Sequence, residues 1–78
     1  MFSNMDKETL NLFRLLLARL ERIPSDSFWA HRASGVRGAL LRMLDKSERG
    51  QPVQRSDLTQ TMDLGFFILE KTAKELTL

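Results

Sequence analysis

A chain of 78 residues with no cysteine and a net charge of +2 is one domain at most, without disulfides or thiolate metal sites. Its 42 % hydrophobic and 28 % charged residues exclude disorder as the default state. The longest apolar runs, 15–18 and 66–69, fall far short of the roughly 20 residues of a membrane span. No basic stretch leads into an apolar one at the start, so neither a span nor a signal peptide is expected. The lack of cysteine in so small a chain points to the reducing cytoplasm.

Two breaks cut the sequence into three segments. The first break is Ile23-Pro24-Ser25-Asp26-Ser27. Proline holds the residue before it extended, so the first helix is expected over 5–22. At about 100° per residue, Leu10, Leu12, Phe13, Leu16, Leu17 and Leu20 share one face, and Leu15 falls on the polar side. The Ser/Asp cluster supplies N-cap residues for a second helix over 26–48. Its apolar stripe is Trp29, Ala33, Val36, Leu40, Met43 and Leu44. Gly50 suits the left-handed position after a helix end, with Pro52 just beyond. Ser56-Asp57 can cap a third helix over roughly 56–77, whose start can lie as early as Pro52. Its stripe is Leu58, Met62, Gly65, Phe66, Leu69, Ala73 and Leu76, while Leu64 and Phe67 fall among polar residues. Period-two alternation is absent. The fold expected is all-α, an antiparallel three-helix bundle running up-down-up in a single domain over 1–78.

The densest stretch is 28–42, with the only Trp, the only His and two of the four glycines. Glycine inside a helix costs about 1 kcal/mol relative to alanine. The expected compensation at Gly35 and Gly38, with Ser34 alongside, is close packing of another backbone. The alternative is an anion site in which His31, Arg42 and Arg49 flank the glycines and arginine forks hold a phosphate or carboxylate. Nine basic against four acidic residues over 14–55 extend that alternative to nucleic acid. Two features oppose it. Arg37 lies more than about 100° from Arg42 around the helix, so the arginines make no single stripe. A helix-turn-helix bent at Gly65 would also present Phe66-Phe67-Ile68-Leu69-Glu70 to the major groove, where basic and polar residues belong.

His31 has Ser27 and Gly35 four residues to either side and no second His or Cys, so no metal and no cofactor are expected. No nucleophile and base stand at a recognisable spacing, and the chain is not expected to be an enzyme. An open cleft holding His31 beside a carboxylate would be the sign to the contrary.

Leu15, Leu64 and Phe67 are what a monomeric bundle leaves over. Leu64, Phe67 and Lys71 form an i, i+3, i+7 line on helix three. Several exposed apolar residues on a small domain mark a partner surface, and a two-fold homodimer is the commonest way to bury one. The expected function is protein–protein interaction as a homodimer, through Leu64, Phe67, Lys71 and Leu15.

Overall fold

The computed structural model describes residues 6–76 and the side chains of 6–75. The first helix starts at a built cap: the Asp6 carboxylate accepts the Thr9 backbone N–H at 2.8 Å. That bond also holds the Asp6 carboxyl below its ordinary range. From there α1 runs Lys7–Glu21, α2 runs Ala30–Glu48 and α3 runs Arg55–Leu76. No strand occurs among the described residues, and the three helices pack pairwise into an all-α bundle. None of the described helices is long and apolar enough to cross a membrane.

The helix directions follow from what meets at each end. Glu75, near the end of α3, bonds to Ser27 and Phe28, just ahead of α2, so these two helices run antiparallel. Arg19 and Ile23, at the end of α1, share a cleft with Leu69 and Ala73 in the second half of α3, so α1 and α3 run parallel. The order is up-down-up.

Gly50 takes a positive φ of 77° after α2. Its N–H donates to the Ser47 carbonyl, and the Gln51 N–H donates to the Lys46 carbonyl, each at 3.0 Å. These are the paired bonds of a Schellman motif, which satisfies carbonyls the helix leaves open.

One helix start and one cap differ from the expectation. The second helix begins at Ala30, not at 26, because 25–29 fold into turns. The Ser27 N–H donates to the Pro24 carbonyl and the Ala30 N–H to the Ser27 carbonyl. Ser25 and Asp26 therefore cap nothing, and Trp29 holds the cap position without a side-chain bond. The third helix begins at Arg55, which moves Ser56 and Asp57 from the cap into the first turn. Asp57 still favours that end, since a negative charge there meets the positive pole of the helix.

The core is Phe13, Leu16, Leu17 and Leu20 from α1, Ala33, Val36 and Leu40 from α2, Val53 from the connection, and Leu58, Met62 and Ile68 from α3. Leu10, Trp29, Met43, Leu44 and Leu69 pack around it half-buried. Leu12, expected inside, is exposed. On α3 the buried line is Leu58, Met62, Gly65, Ile68 and Thr72, so the helix is turned away from the expected stripe. Phe66 and Ala73 leave the core, and Ile68 and Thr72 enter it; the Leu76 side chain lies outside the described residues. Thr72 tolerates burial because its hydroxyl donates to the Ile68 carbonyl at 2.8 Å. Ser47 is also buried, and its hydroxyl has no hydrogen-bond partner among the described residues.

The rotation of α3 accords with a close contact at Gly65. A Cβ on Gly65 would stand 2.9 Å from Leu16 Cδ2, closer than any real Cβ contact. At Gly65 a leucine of α1 lies across the bare backbone of α3. The helix continues unbroken through Gly65, which removes the helix-turn-helix alternative.

Candidate interaction surface

The surface of interest starts with a long-range anchor. The Glu75 carboxylate accepts the Ser27 hydroxyl at 2.6 Å and the Phe28 N–H at 2.9 Å. The Ser27 oxygen in turn accepts the Trp29 N–H at 3.1 Å. The Ser27 bond first and the Phe28 bond second keep the Glu75 carboxyl below its ordinary range. These bonds fix the turn before α2 against the end of α3, and so fix where the two aromatic rings of that turn stand.

Phe28 is 79 % exposed, and its ring meets Trp29 edge-on, with centroids 5.5 Å apart. Trp29 meets Phe67 of α3 in the same way at 5.9 Å. Edge-to-face contact suits the ring quadrupoles. The result is a row of three rings from the turn across to α3. A cation covers each of two rings: Arg32 lies 5.8 Å from the Trp29 centroid and Lys71 lies 5.3 Å from that of Phe67. Leu64, one turn before Phe67, adds to the row; Leu64 is 38 % and Phe67 43 % exposed.

The structure therefore brings together Leu64, Phe67 and Lys71, and adds Trp29 and Phe28 to them. Sequence reasoning placed Trp29 in the core stripe of α2, and Trp29 does pack half-buried against the core; its exposed edge, and Phe28 beside it, were passed over. Phe28 lies in a turn, where helical periodicity carries no signal. Leu15 stands elsewhere. It is exposed on the side of α1 that carries Leu12 and Arg19, and Arg19 borders the α3 side of Leu69 and Ala73. On α3 that side holds the exposed Phe66, about 100° around the helix from Phe67. Two apolar surfaces thus flank α3, and Leu15 belongs to the one facing α1.

The three residues considered for an anion do not converge. His31 lines a cleft between α1 and α2 with Glu21, Ser25, Ser34 and Arg37. Arg42 lines a groove between α2 and α3 with Ala39, Lys46 and Asp57. Arg49 pairs with Asp45 at 3.2 Å past the other end of the helix. His31 and Arg42 are separated by about 16 Å of helix rise. The close packing expected at Gly35 and Gly38 is also missing. Among the described residues nothing lies within 4 Å of a Cβ built on Gly35, and only the Arg42 side chain, at 3.5 Å, approaches one on Gly38. The glycine that another helix covers is Gly65.

The His31 cleft does hold a carboxylate, Glu21. That carboxylate faces Arg37 at 3.8 Å, and no hydrogen bond orients His31 among the described residues. A general base needs such an orienting partner and a nucleophile within reach. No group of three or more His, Cys, Asp or Glu able to hold a metal occurs among the described residues. The chain matches no known protein family, no curated protein and no solved structure.

Proposed function

We propose that this chain is a small helical protein–protein interaction module, without catalytic activity of its own, that works as a homodimer through the outer face of α3. The observation behind the proposal is the row of Leu64, Phe67, Trp29 and Phe28, apolar side chains held in a fixed arrangement on the outside of the bundle. Fully burying a Leu or Phe is worth about 1.5–3 kcal/mol each. A domain of this length has a small core, so that gain is large beside its own stability. Trp29 with Arg32 over its ring is also a pair of residue types enriched at interface hot spots. A reducing, cytoplasmic setting accords with a cysteine-free chain.

The test is sedimentation equilibrium of the chain and of its Phe67→Glu variant. The expected result is a dimer at micromolar concentration for the unchanged chain, and a monomer of the same helical content for the variant. Equal masses for the two would contradict the proposal.

A further inference from the structure

Building on that reading, we infer that two copies pair antiparallel along α3, with the two-fold axis between Gly65 and Phe66, so that Leu64 of each copy packs on Phe67 of the other. The ground for this is a pattern wider than the apolar pair. Asp57, Gln60, Leu64, Phe67, Lys71 and Lys74 follow one another at alternating steps of three and four. That spacing keeps side chains on one seam of a helix paired with another helix. Most of this seam stays open in the bundle: Lys71 is half-buried, and the other five are exposed even though Phe67 touches Trp29 along one edge.

Charge along the seam is sorted. The acid, Asp57, stands at its start, the two lysines at its end, and the apolar pair between. A parallel pairing sets each position against itself, so Asp57 meets Asp57 and both lysines meet lysines. The antiparallel pairing sets Leu64 against Phe67 at the centre, Gln60 against Lys71 outside that, and Asp57 against Lys74 at the ends, each twice by symmetry. Like charges facing each other disfavour the first arrangement, and opposite charges fix the register of the second. Lys71 keeps its place over the Phe67 ring of its own chain, and Lys74 keeps its contact with Glu70 at 3.3 Å.

The neighbouring wall of α2 leaves space for the second helix. Ala39 and Arg42 line the groove that also holds Asp57. One turn before Ala39, Gly35 has nothing within 4 Å of where a Cβ would stand. The cost of that glycine in mid-helix, unexplained within one chain, finds a use if a second copy passes there. On the α1 side of α3, Leu12, Leu15 and Phe66 are exposed too, without such an alternation of charge.

The chain has no cysteine, so introduced thiols report the register directly. Gln60→Cys and Lys71→Cys single variants are mixed, gently oxidised, and their cross-linked dimers separated by ion exchange, since each Lys71→Cys chain carries one positive charge fewer. A disulfide forms only where Cβ atoms approach within about 4.5 Å. The expected product is the mixed Gln60→Cys/Lys71→Cys dimer, several-fold above either same-variant dimer. Same-variant dimers in the majority overturn the antiparallel register. Statistical mixing overturns it as well. In both of those cases light scattering on the unmodified chain separates the two ideas: a dimer leaves the interaction surface standing and only the register fails, whereas a monomer at high micromolar concentration removes both.

Discussion

Gly65 and Gly35 are both glycines inside a helix, and they sit in opposite surroundings. Gly65 lies under Leu16, whose Cδ2 and Cγ would stand 2.9 and 3.3 Å from an added Cβ, and the bundle closes over it. Gly35 faces open space. The same division runs along α3. Its inner line of Leu58, Met62, Gly65, Ile68 and Thr72 is consumed by packing on α1 and α2, while its outer line of Leu64 and Phe67 is held in place but not covered. The lesson is that one helix serves two ends: the inner line makes the fold, and the outer line is available for recognition.

The sharpest way to break that division is to remove a side chain from the inner line. Ile68 is fully buried, so Ile68→Ala should destabilise the chain by about 2–5 kcal/mol, the usual cost of a cavity in a tight core. Urea denaturation followed by circular dichroism would measure it. A loss under 1 kcal/mol would mean that the inner line is not the core.

The glycine pair gives a smaller effect of opposite sign at the two sites. Gly65→Ala forces Leu16 to move within a filled core, a strain of about 1–3 kcal/mol that the better helix propensity of alanine, about 1 kcal/mol, only partly offsets. Gly35→Ala meets no neighbour and should stabilise the dilute chain by up to about 1 kcal/mol. Thermal melts of the two variants at low concentration would show one midpoint falling and the other rising.

The smallest expected effect concerns pH. The Glu75 carboxyl is held below its ordinary value by Ser27 and then by Phe28. A carboxyl with a lower pKa folded than unfolded stabilises the fold above the unfolded value, and that contribution fades as pH falls through the folded one. The melting temperature should therefore decline below about pH 4, and Glu75→Gln should lower it at neutral pH while making the acid decline shallower. Asp6 shifts in the same direction and is present in both chains, so the comparison isolates Glu75. Identical pH profiles would show that the Glu75 anchor carries no stability.

How much of this was legible in the sequence follows from the range of each interaction. The three helices, the break at Gly50 and the exposed Leu64 and Phe67 depend on residues close in the chain, and periodicity finds them. The start of α2 depends on Glu75, 48 residues from Ser27, and no local signal announces it. The choice of Ile68 over Phe66 for the core depends on how far α3 is rotated about its axis. The close approach of Leu16 to Gly65 accords with that rotation, and a helical wheel drawn for one segment alone does not contain it. The glycines at 35 and 38 drew attention for their cost, yet the sequence holds no sign of whether a neighbour from the same chain lies above them. The separation of His31, Arg42 and Arg49 along α2 and its end, and the i, i+4 pairing of Arg49 with Asp45, depend by contrast on local spacing that the sequence carries.

The most direct test of the outer line as a contact surface is the solution mass of the unchanged chain measured across concentration by light scattering. A mass rising to twice the 9.0 kDa of one chain as concentration reaches the micromolar range, with Phe67→Glu remaining at the single-chain value throughout, is the expected result. A single-chain mass for both proteins at high micromolar concentration would contradict it.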